Sequence, residues 1–197
     1  MYIFIYSFMQ KLLQEIRTCS VCDKDLPLGP RPIVAASPTS KIAVIGQAPG
    51  TAVHESGIPW DDPSGRRLRE WMGITDEVFY DPTNLAIIPM GFCYPGRGKS
   101  GDLPPRPECA PLWHKPLFDS IKEIKLTLLI GQYAQKYYLQ EKMKRTLTET
   151  VRGYEEYLPE FMPLPHPSPR NNIWLKKNEW FEQDLVPKLK SIISSAL

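Results

Sequence analysis

Lys41-Ile42-Ala43-Val44-Ile45-Gly46-Gln47-Ala48-Pro49-Gly50 is the stretch on which the fold turns. Ile42 to Ile45 is uninterrupted apolar sequence, too short for a helix and rich in β-branched residues. It reads as a strand buried on both faces, the kind found in parallel sheets. Gly46 ends it, and Pro49-Gly50 forces a rigid turn. A buried strand running into such a turn is expected to hand the chain to a helix.

Two further runs repeat the pattern, Asn84 to Ile88 and Leu126 to Ile130, and Tyr157 to Leu164 contains a short strand ending at Pro165. Helical spacing fills the gaps between them. Leu12, Leu13 and Ile16 place a short amphipathic helix over Gln10 to Thr18, ahead of Cys19. Ser64 is the expected N-cap of a helix that runs through Trp71 and Met72 and closes at Gly73. Glu108 to Ile124 is helical with interruptions near Pro111 and Pro116, and Gly131 opens a helix reaching about Met143. Asn172 to Ala196 reads as one long helix kinked at Pro187. Strands alternating with helices imply a three-layer α/β/α sandwich around a mainly parallel four-stranded sheet. In such sheets ligands bind beyond the carboxyl ends of the strands. The strings 46–50, 89–97 and 165–171 each follow a strand and are expected to meet there.

At 197 residues the chain is the size of one domain, with 42% hydrophobic and 23% charged residues, as in globular proteins. The net charge of +2 is compatible with a nucleic-acid partner but does not establish one. Residues 1–8 are apolar but too short to span a membrane and lack the basic flank of a signal peptide. They read as an over-extended or poorly ordered start, with Met9 opening the natural helix. The expectation is a soluble, cytoplasmic protein, in which four cysteines favour metal binding or free thiols over disulfides.

Three strings carry chemistry. Gly46-Gln47-Ala48-Pro49-Gly50 alone is a stiff turn. Gly57-Ile58-Pro59-Trp60 follows it closely, and His166-Pro167-Ser168-Pro169-Arg170-Asn171 follows the last strand. Together with the cysteines, these strings in this order resemble the uracil-DNA glycosylase superfamily. The cysteine spacing resembles its iron–sulfur branch, family 4, over about residues 19–193.

The resemblance implies a single uracil-DNA glycosylase-like domain, monomeric. It would hydrolyse the N-glycosidic bond of uracil, or a related deaminated base, flipped out of DNA. Trp60 corresponds to the aromatic residue that stacks on the flipped base, restoring the stacking lost on leaving the duplex. His166 corresponds to the histidine that donates to uracil O2. Bond cleavage leaves negative charge on the base, and a fixed donor at O2 stabilises it without any proton transfer. Gly46, Ala48, Met90 and Gly91 would line the base, the last two through backbone groups. Ser168 and Arg170 would meet the DNA backbone. Apart from the resemblance, Arg97 and Lys99 in the flexible basic loop Arg97-Gly98-Lys99-Ser100-Gly101 near Cys93 are candidate phosphate contacts.

The chain departs from family 4 at two places. Gln47 stands where that family has a water-orienting Glu; an amide holds a water but is no general base. Ala48 leaves no carboxylate at the next position, where family 1 has Asp. Gln47 would then place water within a different activation arrangement. Pro89 stands where family 4 reads the uracil edge with Asn.

Cys19, Cys22, Cys93 and Cys109 account for every cysteine in the chain. Four thiolates suit an iron–sulfur cluster or a tetrahedral zinc ion. The resemblance implies a structural [4Fe–4S] cluster, with zinc or free thiols as the alternatives. Two other functional readings stay open. One is a catalytically weak or inactive protein of the same fold that binds damaged or single-stranded DNA. The other is an unrelated α/β zinc protein acting on a small nucleotide.

Overall fold

The computed structural model describes residues 2–99 and 101–197. Met1 and Ser100, which belong to the N-terminal stretch and the basic loop discussed above, lie outside the described residues. Strands β1 (Ile42–Ile45), β2 (Leu85–Ile87), β5 (Leu126–Ile130) and β6 (Phe161–Leu164) form a four-stranded sheet in the order β2-β1-β5-β6. Every pairing in it is parallel. Between β2 and β5 lies a short antiparallel hairpin, β3 (Arg97–Gly98) with β4 (Gly101–Asp102). The helices are α1 (Tyr2–Arg17), α2 (Thr51–Ser56), α3 (Pro63–Met72), α4 (Asp76–Tyr80), α5 (Cys109–Ser120), α6 (Gln132–Leu139), α7 (Leu147–Arg152), α8 (Asn172–Lys177) and α9 (Val186–Ala196).

Strand side chains alternate between two cores. Ile42, Val44, Leu85, Ile87, Leu126, Leu128, Ile130, Met162 and Leu164 pack against α3 and α9. Ala43, Ile45, Ala86, Ile88 and Leu129 face α1, α5 and α6 on the other side. Both faces of the sheet are covered, which is why the strands carry apolar runs rather than alternating polarity. This is the α/β/α sandwich expected from the sequence. Pro163 is tolerated in β6 because that strand lies at the edge of the sheet, where a missing N–H breaks no ladder bond.

Several boundaries differ from the sequence reading. Helix α1 begins at Tyr2, not Gln10, and Met9, Leu12, Leu13 and Ile16 form its buried stripe. Asp62, not Ser64, caps α3: its Oδ1 accepts from Gly65 N–H at 2.7 Å, and Pro63 occupies the first turn. Ser64 is buried inside the helix. The C-terminal segment is two helices rather than one. Asn178 Nδ2 donates to Trp174 O and ends α8, and a π-turn over Phe181–Leu185 leads into α9. Pro187 follows the π-turn directly, with Leu185 and Val186 helical on both sides of the junction, so the helix is distorted at the turn before the proline and continues through it as α9. No helix among the described residues is long and apolar enough to cross a membrane.

Candidate functional site

A cavity of about 700 Å³ opens at the carboxyl ends of the strands. The walls are the segments that leave the strands: Gly46–Gly50 after β1, Pro89 after β2, Gln132 and Tyr133 at the start of α6 after β5, and His166 with Ser168–Asn171 after β6. Trp60, Asp62 and the hairpin residues Gly101 and Asp102 complete it. The strings 46–50 and 165–171 therefore converge on one space, as the topology of a parallel sheet requires, whereas of the string 89–97 only Pro89 reaches it.

The Gly46–Gly50 loop is held from behind. Gly46 O accepts from Met90 N–H at 2.8 Å, and Gln47 O accepts from Gly91 N–H at 2.9 Å. Met90 and Gly91, read above as base-lining residues, are buried outside the cavity lining, and their donors are engaged in these two bonds. They position the loop rather than offer a free edge. Pro89 is backed in turn by His114, whose Nε2 lies 3.0 Å from Pro89 O and whose Nδ1 lies 2.6 Å from Tyr138 Oη. Burial lowers the His114 pKa to about 4, so the ring is neutral; Nε2–H donates to the carbonyl and Nδ1 accepts from the phenol.

Gln47 Nε2 donates to Leu103 O at 3.1 Å. That bond fixes the amide orientation, because only the nitrogen can face a carbonyl. It ties the loop to the hairpin and leaves Oε1 as an acceptor.

Trp60 has φ +58°, a left-handed conformation rarely adopted by bulky residues and costing about 1–3 kcal/mol. Two glycines make room for it. A Cβ at Gly46 would lie 2.7 Å from Trp60 Cζ2, and one at Gly65 would lie 1.8 Å from Trp60 O. The half-buried indole packs on the α3 side of the core and also faces the cavity. Its ring centroid is 5.8 Å from that of His166, at an interplanar angle of 34°.

His166 is fixed at both ends. Its Nδ1 accepts from Ser168 N–H at 3.2 Å, and its carbonyl accepts from Asn171 Nδ2 at 2.7 Å. A nitrogen that accepts carries no proton, so in the neutral ring Nε2 holds it. Burial lowers the His166 pKa; Asp62 works against that shift and Arg170 adds to it. The residue is thus a neutral donor held in one tautomer.

Asp62 escaped the sequence reading. It lines the cavity half-buried, next to Trp60 in the loop that starts α3, and close enough to His166 to act on its charge. The signal was present as Asp-Pro, a cap followed by proline at the first helical position. Asp102 is a second carboxylate at the cavity, exposed, and a Cβ on Gly50 would lie 3.5 Å from its Oδ2.

At the rim, Ser168 Oγ accepts from Arg170 N–H at 3.3 Å. The Arg170 guanidinium lies over Gly101, where a Cβ would come within 2.4 Å of Nη1, so the His166 loop and the hairpin meet there. Arg97 and Lys99 are exposed on the same hairpin but do not line the cavity. Arg67 is not a free surface cation: its Nη1 donates to Asn172 Oδ1 at 2.9 Å and ties α3 to the His166 loop. Arg106 pairs with Asp25 and Glu108.

The cysteines come from three segments: Cys19 and Cys22 after α1, Cys93 after β2, and Cys109 at the start of α5. All are free thiols; Cys22, Cys93 and Cys109 are buried and Cys19 is half-buried. Burial pushes the Cys93 thiol up to about 12 and the Cys109 thiol up to about 11, and each is raised further by its fellow cysteines. Cys22 and Cys93 pack with Leu26, Cys109 belongs to the core on the α1 and α5 side of the sheet, and the thiols lie close enough to act on one another's charge. Among the described residues, no three His, Cys, Asp or Glu side chains have the geometry to hold a metal ion.

The family model of the uracil DNA glycosylase superfamily matches residues 34–190. Among solved structures, the chain is similar to wild-type SMUG2 from Pedobacter heparinus, with 13% identity and a TM-score of 0.40 over 95% of this chain and 94% of that one. The family match runs from the loop before β1 into α9 and takes in every wall of the cavity: the chain belongs to the uracil DNA glycosylase superfamily.

Proposed function

We propose that the protein excises uracil, or a related deaminated base, from DNA by hydrolysing its N-glycosidic bond. The observation that carries this reading is the pairing of Trp60 and His166 in one cavity, with the His166 proton held on Nε2 by the Ser168 N–H. A flipped base stacks on the indole. As the C1′–N1 bond breaks, its electron pair moves into the base, and His166 Nε2–H donates to the oxygen where the charge collects. Asp62 would take a proton from the attacking water, and Gln47 Oε1 would help orient it; both line the cavity. This replaces the Glu that family 4 carries at position 47. Arg170, Arg97 and Lys99 supply positive charge for the phosphates at the rim.

The test is release of free base from oligonucleotides carrying uracil, hypoxanthine, xanthine or mismatched thymine, in single and double strands. Release of uracil, or of another deaminated base, supports the reading. Tight binding without release of any base favours the inactive damage-binding protein instead.

Assignment to the iron–sulfur branch is part of the same proposal. What supports it is the donor set alone: four thiols, unpaired as disulfides and mostly buried, are the ligands such a cluster takes, although their side chains as they stand do not surround a metal ion. Cys19, Cys22, Cys93 and Cys109 would hold it, tying α1 to the loop after β2 and to α5. Protein prepared without oxygen is expected to contain about four irons and four sulfides per chain and to melt at lower temperature once they are removed. About one zinc per chain, with no iron, would select the zinc alternative.

A further inference from the structure

We propose that Arg69, buried behind the cavity wall, is a positioning residue that holds Trp60 in the conformation that presents its indole. This rests on the reading that Trp60 stacks on a flipped base. Among the described residues only Trp60 and Gln140 are non-glycine residues with positive φ, and only Trp60 lines the cavity. A left-handed tryptophan does not hold itself; it persists only where its surroundings over-determine it.

Arg69 is the polar part of those surroundings. Its Nη1 donates to Trp60 O at 3.3 Å and to Tyr80 Oη at 3.2 Å. Its Nε meets Asp76 Oδ1 at 2.6 Å. The guanidinium also lies 5.2 Å from the Phe79 ring centroid and 5.3 Å from that of Tyr80. The Arg69 side chain is 9% exposed and that of Asp76 is 68% exposed, so the pair draws the cation inward from a surface carboxylate. The result is a planar fork clamped by α4 on one side and aimed at the Trp60 carbonyl on the other. One turn earlier on the same face of α3, Gly65 packs directly against the same carbonyl, where a Cβ would come within 1.8 Å of the oxygen. Lysine cannot replace this arrangement: an ammonium is a point charge without the rigid fork or the flat face that stacks.

The expected consequence concerns binding more than bond cleavage. Without the fork the Trp60 peptide relaxes toward ordinary φ and the indole leaves the stacking position. Arg69→Lys and Arg69→Met should each weaken binding of an oligonucleotide carrying non-hydrolysable 2′-fluoro-deoxyuridine by about tenfold, the scale of one lost base–aromatic stack. Asp76→Asn, which removes one arm of the clamp from the surface, should give a smaller loss with the fold intact. The decisive readout is a double-variant cycle. If Arg69 acts through Trp60, Arg69→Met adds nothing to the loss already caused by Trp60→Ala. Additive losses, or Arg69 variants that bind like wild type, overturn the proposal.

A second readout needs no substrate. With 5-fluorotryptophan in place of the five tryptophans, the fluorine signal assigned to Trp60 should move or broaden in Arg69→Lys while the others hold. An unmoved Trp60 signal also overturns the proposal. A moved signal in a protein that releases no base retains Arg69 as the support of Trp60 and removes the glycosylase reading alone.

Discussion

Replacing His166 with alanine is expected to slow base release by roughly 10²–10³-fold, the usual cost of removing one preorganised donor to a developing oxyanion. Single-turnover assays at saturating enzyme measure this free of product release. DNA binding should change much less, because the bond to O2 strengthens only as the glycosidic bond breaks. The structure bears on the pH dependence too. Burial lowers the His166 pKa, with Arg170 adding to the shift and Asp62 opposing it. The neutral ring, with its proton on Nε2, therefore persists to lower pH than in an ordinary histidine. The rate should show no inflection near 6.5, where free histidine titrates. His166→Gln is the informative companion variant: an amide nitrogen can donate but lacks the ring's reach and fixed tautomer, so partial activity would mark donation as the role. A His166→Ala enzyme as fast as wild type would remove the central residue of the proposed mechanism.

Much of this site was legible before the structure, for physical reasons that differ from residue to residue. The strands were legible because both their faces are buried, which leaves apolar runs such as Ile42 to Ile45 with nothing to disguise them. Trp60 and His166 were legible because each sits in a short rigid string of glycine and proline whose conformation is local. What escaped depends on partners distant in sequence. Nothing in Met90-Gly91 says that their N–H groups belong to Gly46 O and Gln47 O. Nothing in Gln47 says that its amide reaches Leu103. Arg69 reads as one charge in a basic stretch with Arg66 and Arg67, yet it is buried and bound to the Trp60 carbonyl, while Arg67 is tied to the His166 loop. The cap of α3 was misplaced for a different reason: Asp62 and Ser64 are both good cap residues two positions apart, and Pro63 between them, which favours the first helical position, marks Asp62 as the cap.

That misplaced cap leads to the second large effect. Asp62 does two jobs with one side chain. Its Oδ1 accepts the Gly65 N–H that starts α3, and the same carboxylate lines the cavity beside His166. Asparagine separates the two, because it caps a helix as well as aspartate does but cannot take a proton from water. Asp62→Asn is therefore expected to lower base release by about 10²–10⁴-fold, the range for loss of a positioned general base. Its melting temperature should stay within about 2 °C of wild type. Asp62→Ala should lose both functions, adding about 1 kcal/mol of destabilisation from the missing cap. Asp102 is the natural control, being the other carboxylate at the cavity but an exposed one on the hairpin. Asp102→Asn should cost far less than Asp62→Asn if water is activated beside Trp60. A reversed order of the two losses would move the water to the hairpin side. An Asp62→Asn enzyme that keeps the wild-type rate would leave His166 and the DNA phosphates to carry the reaction, with Asp62 a helix cap alone.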